Sequence, residues 1–82
     1  MHTYLITGGA GFIGANFVKY MLATHADAQL IVLDLLTYAG NVHTIESDID
    51  GVRCHFVKGD IGDRALVESL FEKYPIDCVV NF

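Results

Sequence analysis

The sequence predicts an α/β fold, in which a parallel β-sheet carries helices on both of its faces. Four short apolar runs of strand length alternate with helix-like segments, in two of which apolar residues recur every three or four positions. Some of the runs are apolar throughout, as in strands that are buried on both faces. The connections between them are short, so the expected order is β-α-β-α-β-α-β in a doubly wound sheet with strand order 3-2-1-4.

The four strands are predicted from runs rich in branched and aromatic residues. Their expected positions are residues 3–7, 29–35, 52–58 and 77–82. A turn at residues 48–51 precedes the third strand, because Asp, Asp and Gly cluster there. Val79 and Val80 give the fourth strand the character of an interior strand, without the charge or proline that protects a sheet edge.

Three helices are expected between the strands. Their expected positions are residues 12–25, a short helix from Asn41 or Thr44 to about residue 48, and a helix between an N-cap at Asp63 and a stop at Pro75. The first helix has an apolar face formed by Phe12, Ile13, Phe17, Val18, Met21 and Leu22. The last has a face formed by Leu66, Val67, Leu70, Phe71 and Tyr74.

Composition limits what the chain can be. With 82 residues it has room for one small domain or for part of one, and a hydrophobic share of 52% suggests the core of something larger. The net charge is −5 and the five basic residues are scattered, so we expect no nucleic-acid partner. No apolar run approaches the roughly 20 residues of a membrane-spanning helix. We also expect no signal peptide and a cytoplasmic location.

The cysteines and histidines predict neither a disulfide framework nor a metal site. Cys54 and Cys78 lie in or beside strand-like runs and are expected to be buried, reduced thiols. The histidines are spread along the chain without the spacing of metal ligands, at His2, His25, His43 and His55.

A glycine-rich turn at residues 7–14 joins the first strand to the first helix. In the pattern G-x-x-G-x-x-G, Gly8 permits a sharp turn and Gly11 permits close approach of a pyrophosphate. Gly14 permits tight packing of the helix on the sheet. The helix N-terminus then offers free N–H groups to phosphates, with Phe12 and Ile13 at its start. A glycine-rich turn without a ligand is the alternative.

Asp34 closes the second strand and follows Gly14 by 20 residues, the spacing of the acidic residue that binds the adenosine ribose in dinucleotide-binding folds. A carboxylate there repels a 2′-phosphate, and no arginine follows closely, so NAD is favoured over NADP. The alternative is a solvated strand-end acid or a helix N-cap. The glycine turn, Asp34, Asp60 and Phe82 all follow strand ends, which converge on one edge of the predicted sheet.

The glycine turn resembles that of the extended short-chain dehydrogenases/reductases, whose glycine pattern is T-G-G-A-G-F-I-G, as at residues 7–14. The stretch L-D-L-L-T-Y-A-G-N at residues 33–41 is more specific and is similar to the dTDP-glucose 4,6-dehydratase family. Residues 57–63 and 77–82 also resemble that family. The resemblance covers the whole chain, but the chain corresponds to only about the first quarter of such an enzyme, a Rossmann-like NAD-binding portion without a substrate domain.

The resemblance implies roles for individual residues. Phe12 and Ile13 would contact the pyrophosphate and Asp34 the ribose, while Asp60 and Ile61 would lie against the adenine. Further positions implied along the nucleotide are Leu35, Leu36, Thr37 and Phe82. Family members often carry lysine at the position of Leu35, so its contact is expected through the backbone, and a packing substitution is the alternative.

The implied reaction is an internal redox cycle on a dTDP-sugar. NAD+ takes hydride from C4 of the glucose, water leaves across C5–C6, and hydride returns to C6. The family's Y-x-x-x-K pair is absent here, so no catalytic residue is assigned and the chain alone is expected to be inactive. The parent enzyme, of which this chain would be the first part, is expected to be a homodimer. Alternatives are a fragment of a sugar-nucleotide epimerase or decarboxylase, a non-catalytic nucleotide-binding or interaction module, or a piece completed by another chain.

Overall fold

The computed structural model describes residues 2–8, 12–35, 49 and 51–82. In chain order these form β1 (His2–Thr7), α1 (Phe12–Thr24), β2 (Ala28–Asp34), β3 (Cys54–Lys58), α2 (Arg64–Lys73) and β4 (Cys78–Asn81). All four predicted strands and the first and last predicted helices are confirmed. The short helix expected between Asn41 and Asp48 lies outside the described residues. Of the predicted turn at 48–51, Gly51 is described with a φ of +73°.

The four strands form one parallel sheet in the order β3-β2-β1-β4, as predicted. In the central pair, Leu5 lies opposite Ile31 and Ile6 opposite Val32. Because alternate strand residues point to opposite faces, these pairs bury both faces of the sheet. Each such aliphatic side chain contributes about 1.5–3 kcal/mol when fully buried. The continuous apolar runs are explained by this two-sided burial.

One face packs against α1 and the other against α2. The core on the α1 face consists of Ile6, Ala15, Val18, Met21, Ala28, Leu30, Val32 and Cys54. The core on the α2 face consists of Leu5, Ile31, Leu33 and Leu70, with Leu66, Val67, Tyr74 and Ile76 packed against it.

The predicted apolar faces of the helices are correct at their centres and wrong at their margins. Val18 and Met21 are buried, but Ile13 is 69% exposed, and the small residue Ala15 takes part in the contact instead. On α2, Leu70 is buried whereas Phe71 is 46% exposed. Successive helix residues are rotated by about 100°, so Phe71 turns away from the line that Leu70 buries.

The ends of α2 follow the predicted signals. The carboxylate of Asp63 accepts a hydrogen bond from the Leu66 N–H at 3.2 Å, so Asp63 is the N-cap. At the other end the Tyr74 N–H donates to the Leu70 carbonyl at 2.9 Å, and Pro75 follows. An N-cap of this kind contributes about 1 kcal/mol.

The two cysteines differ in their surroundings. Cys54 is buried in the core and Cys78 is exposed, so the prediction of two buried thiols is wrong for Cys78. The reason is the place of β4 at the edge of the sheet, where one side of the strand has no neighbour among the described residues. Neither cysteine takes part in a disulfide bond.

Polar side chains bind the sheet together at its amino edge, where the strands begin. The Thr3 N–H donates to Asp77 Oδ2 at 2.8 Å, and the Asp77 N–H donates to the Thr3 carbonyl at 2.8 Å. Arg53 donates to the carbonyl oxygens of Ala28 at 3.1 Å and His25 at 2.6 Å. These bonds fasten β4 to β1 and the end of α1 to the start of β2.

No helix within the described ranges is long and apolar enough to cross a membrane. Within those same ranges, no group of three or more His, Cys, Asp or Glu residues is arranged to hold a metal ion.

Candidate functional site

An open cleft of about 220 Å³ lies at the carboxyl edge of the sheet, where the strands end. Each wall belongs to residues that close a strand or follow it directly. The lining residues are Thr7, Gly8, Leu33, Asp34, Leu35, Gly59, Asp60, Ile61, Asn81 and Phe82. The predicted convergence of four strand ends is therefore confirmed for Gly8, Asp34, Asp60 and Phe82.

Gly8 ends β1 with a backbone that strongly favours glycine. Its φ is +77°, and its N–H donates to the Leu33 carbonyl at 2.9 Å. A Cβ added at this position would lie 2.9 Å from the carbonyl oxygen of Phe82. Residues other than glycine rarely adopt this φ. Because the neighbouring atom is a backbone atom, any other residue here would push the ends of β1 and β4 apart.

α1 begins at Phe12, directly after the glycine-rich turn. The first N–H groups of a helix have no partner within the helix, and the helix dipole is positive at this end. The exposed side chain of Ile13 leaves that first turn facing solvent. Gly14 is buried within α1, and the packing role predicted for it stays a prediction. Gly11 lies outside the described residues.

Asp34 is the last residue of β2 and is only 3% exposed, although it lines the cleft. Its carbonyl oxygen accepts a hydrogen bond from the Gly59 N–H at 3.1 Å, which ties the end of β2 to the turn after β3. A buried carboxylate beside an open cleft is a strong acceptor for ligand hydroxyl groups. Leu35 is half exposed beside it. Leu36 and Thr37 lie outside the described residues.

The turn after β3 forms the wall next to Asp34. Asp60 Oδ1 accepts a hydrogen bond from the Gly62 N–H at 2.8 Å, and the Asp60 carbonyl accepts one from the Asp63 N–H at 2.9 Å. These bonds close a tight turn that leads into the α2 N-cap. They leave Ile61 exposed on the cleft.

Gly59 lines the cleft, but no role was predicted for it from the sequence. A Cβ added there would lie 2.2 Å from Leu66 Cδ2 and 3.4 Å from Leu33 Cδ1. Leu66 would have to move, so the missing side chain lets α2 pack close to the floor of the cleft. Its position beside Asp60, directly after a strand, is the signal that could have indicated it.

The end of β4 forms the opposite wall. The Thr7 hydroxyl donates to Asn81 Oδ1 at 2.5 Å, and the Phe82 N–H donates to the Thr7 carbonyl at 2.9 Å. The Phe82 ring packs on the Phe17 ring of α1, with centroids 5.3 Å apart and planes tilted by 53°. Sequence reasoning missed Thr7 and Asn81, because the bond joins residues 74 positions apart.

The charged groups on the described cleft lining are the carboxylates of Asp34 and Asp60. Such a lining suits ligand groups that donate hydrogen bonds, such as sugar hydroxyls and an amino group. A phosphate would have to be held by backbone N–H groups, which the start of α1 supplies. The arrangement therefore fits a nucleotide whose sugar is not phosphorylated.

Comparisons with known proteins agree with this geometry. The family model described as GDP-mannose 4,6 dehydratase matches residues 5–82. A dTDP-glucose 4,6-dehydratase of Xanthomonas campestris is 52% identical over all of this chain, which covers 23% of that protein. The crystal structure of a Bacillus anthracis dTDP-glucose 4,6-dehydratase in complex with NAD superposes with a TM-score of 0.95. It is 41% identical over all of this chain and 26% of that one.

A second enzyme class has a similar structure. The UDP-Glc/GlcNAc 4-epimerase of Campylobacter jejuni superposes with a TM-score of 0.84 and is 34% identical, over all of this chain and 24% of that protein. The chain thus spans about a quarter of the length of the relatives that it matches.

Proposed function

The chain belongs to the GDP-mannose 4,6 dehydratase family, and from that premise we propose that its 82 residues form the first part of the NAD-binding domain of a dTDP-glucose 4,6-dehydratase. In this proposal the cleft at the carboxyl edge holds the dinucleotide. The identities of 52% and 41% to proteins named as this enzyme support it. So does the NAD complex of the second of them.

The observation that carries the proposal is the buried carboxylate of Asp34 in the same cleft as the Gly8 turn. Dinucleotides bind where a glycine turn and a helix N-terminus receive the pyrophosphate and an acid on the next strand receives the ribose. Gly8 leaves no room for a side chain, and Asp34 is buried at the end of β2. The residues present therefore fit the cofactor.

The walls of the cleft and the start of α1 each have a role in the proposal. The first turn of α1, at Phe12 and Ile13, holds the pyrophosphate through backbone N–H groups. Asp34 accepts hydrogen bonds from the adenosine ribose, and Asp60 with Ile61 lies against the adenine. The remaining contacts proposed along the nucleotide are Gly11, Gly14, Leu35, Leu36, Thr37 and Phe82.

The same acid sets the choice of cofactor. A 2′-phosphate on the ribose would be placed against the carboxylate of Asp34, and the described lining offers no cation to compensate. We therefore propose NAD rather than NADP as the cofactor.

In the proposed reaction on dTDP-glucose, NAD would accept a hydride from C4 of the sugar in its oxidised form and would return a hydride to C6 in its reduced form. The residues of this chain orient the cofactor and keep it in place between the two hydride transfers. None of the four tyrosines is followed by lysine at the fourth position, so proton transfer is not assigned to them. We also propose a homodimeric, cytoplasmic parent enzyme.

Calorimetric titration of the chain with NAD and with NADP tests the proposal. We expect NAD to bind at least about tenfold more tightly than NADP, and Asp34→Ala to weaken NAD binding by about tenfold or more, since a charged hydrogen bond is lost. Asp27→Ala is the matched control, because Asp27 is exposed just before the opposite end of β2. Equal binding of both nucleotides, or no effect of Asp34→Ala, would refute the proposed cleft.

A sugar-nucleotide 4-epimerase is the second candidate, favoured by the Campylobacter jejuni structure. Such an enzyme would use the same NAD cleft, so nucleotide binding cannot separate the two. The two candidates can be separated by the mass of the product that the protein encoded by the complete reading frame makes from a nucleotide sugar. A dehydratase yields a product lighter than the substrate by one water, whereas an epimerase yields a product of unchanged mass.

A further inference from the structure

We propose that Leu66 of α2 is a positioning residue, which holds the turn after β3 in place and thereby sets where the carboxylate of Asp60 lies on the wall of the cleft. Leu66 is not one of the described residues that line the cleft. The inference rests on the proposed function, in which Asp60 lies against the adenine. It goes beyond that function, because it gives α2 a part in nucleotide binding.

The side chain of Leu66 fills the space that Gly59 leaves empty. A Cβ added to Gly59 would lie 2.2 Å from Leu66 Cδ2, so a methyl group of the leucine rests on the glycine backbone where the turn begins. The same added atom would lie 3.4 Å from Leu33 Cδ1, and Leu66 packs against the core to which Leu33 belongs. The contact therefore joins the start of the turn to the core below the cleft.

Hydrogen bonds join the other end of the turn to the same residue of α2. The Asp63 N–H donates to the Asp60 carbonyl at 2.9 Å, and the Asp63 carboxylate accepts from the Leu66 N–H at 3.2 Å. Leu66 thus contacts the turn twice, with its side chain at Gly59 and with its N–H at Asp63. Residues 59–63 form an arc between these two contacts.

Asp60 and Ile61 lie in the middle of this arc and are both exposed. Asp60 Oδ1 accepts a hydrogen bond from the Gly62 N–H at 2.8 Å, a partner that belongs to the same turn. The carboxylate will therefore move with the turn as a whole. Binding groups must be held within about 0.5 Å of their productive positions, so a small shift of the turn is enough to weaken the contact with a base.

Removal of the Leu66 side chain would leave a void beside Gly59. Protein interiors are closely packed, and the atoms around a new cavity relax into it only in part. Since the backbone of Gly59 forms one side of this void, we expect the turn to shift towards it. Asp60 would then meet the amino group of adenine at a poorer distance and angle.

The test compares NAD with its hypoxanthine analogue, in which an oxygen replaces the amino group of adenine. Calorimetry on the protein encoded by the complete reading frame measures both affinities. We expect the wild type to prefer NAD by about tenfold or more, and Leu66→Ala to reduce this preference to about threefold or less, because a hydrogen bond to a charged group is weakened. Leu66→Met keeps a side chain of similar volume and should restore most of the preference.

Val67→Ala is the matched control. Val67 follows Leu66 on α2 and is also half-buried against the same core. We expect a lower melting temperature and an unchanged base preference, because the truncated side chain is not the one that rests on Gly59. If Leu66→Ala does not fold, the smaller truncation Leu66→Val decides.

A double-mutant cycle shows whether Leu66 acts through Asp60. Asp60→Ala should remove the base preference by itself. Leu66→Ala added to it should then change the preference by less than about twofold, because residues that act through one contact are not additive.

The outcomes separate this inference from the proposed function. An unchanged base preference in Leu66→Ala, an equal reduction in Val67→Ala, or additive effects in the cycle would overturn the positioning role. So would a wild type without base preference, because Asp60 would then not receive the amino group. In all of these cases the NAD cleft stands if Asp34→Ala weakens NAD binding. Failure of the folded wild type to bind NAD would instead refute the proposed function.

Discussion

The two edges of the sheet are built from the same four strands, yet they differ in how their polar groups are used. At the amino edge, Arg53 donates to the carbonyls of Ala28 and His25, and Asp77 exchanges two bonds with Thr3. At the carboxyl edge, the carboxylates of Asp34 and Asp60 line an open cleft.

Internal polar contacts that stabilise the fold are therefore found at the amino ends of the strands, and the proposed NAD cleft lies at their carboxyl ends. The amino edge satisfies its polar groups internally, so substitutions there should act on folding. The carboxyl edge holds a glycine turn at a positive φ and charged groups beside open space. Substitutions there should act on NAD binding in addition to, or instead of, folding.

The largest effect is expected at Gly8. Gly8→Ala would combine a φ of +77° with a Cβ 2.9 Å from a backbone oxygen, so we expect a loss of about 2 kcal/mol or more in unfolding free energy and loss of NAD binding. Thermal and urea denaturation followed by circular dichroism measure the first, and calorimetry the second.

Gly51→Ala is the control for this prediction. Gly51 has a φ of +73°, but an added Cβ would meet nothing within 4 Å. It should therefore show only the backbone strain, about 1 kcal/mol, and should leave NAD affinity unchanged. If the two variants behaved alike, the contact with Phe82 would not matter.

The next largest loss of stability is expected at the amino edge. Arg53→Leu would remove the donors to the carbonyls of Ala28 and His25, and we expect a loss of about 1–3 kcal/mol in unfolding free energy with no change in NAD affinity. Chemical denaturation and calorimetry measure the two quantities.

Arg64→Leu is its control, because the Arg64 pair with Glu68 at 2.9 Å is exposed and lies on one helix. An exposed pair of this kind contributes about 0.3–0.5 kcal/mol. A loss of NAD affinity in Arg53→Leu would contradict the expectation that substitutions at the amino edge act on folding alone.

A smaller effect is expected at Asp77. Asp77→Ala removes the acceptor of the Thr3 N–H but keeps the backbone bond in the other direction, so we expect a loss of about 1 kcal/mol. Denaturant titration measures it. The matching substitution at the carboxyl edge is Asp34→Ala. It should weaken NAD binding and should lower the stability less than Gly8→Ala does.

Much of the fold could be predicted from local patterns, because strand runs, helix caps and the stop at Pro75 are local features. The strand order and the placement of Asp34 followed from general rules for parallel sheets. The errors at Ile13 and Phe71 arose because local patterns do not show how a helix is rotated. The error at Cys78 arose because an apolar run does not show which of its side chains the neighbouring elements cover.

Thr7 and Asn81 were missed for a related reason. Their hydrogen bond spans 74 positions of the chain, and a threonine and an asparagine at strand ends carry no recognisable motif. The contacts of every site residue with a nucleotide stay predictions, and Gly11, Leu36 and Thr37 also lie outside the described residues.

The most direct test of the account is an NMR titration of the isotope-labelled chain with NAD, followed through the backbone amide signals. We expect the signals of Gly8, Leu35, Ile61 and Phe82, at the carboxyl edge, to shift on binding. Those of Thr3 and the other amino-edge residues, Ala28, Arg53 and Asp77, should stay in place. Shifts concentrated at the amino edge, or no shifts from a folded chain, would contradict the assignment of the carboxyl edge to NAD.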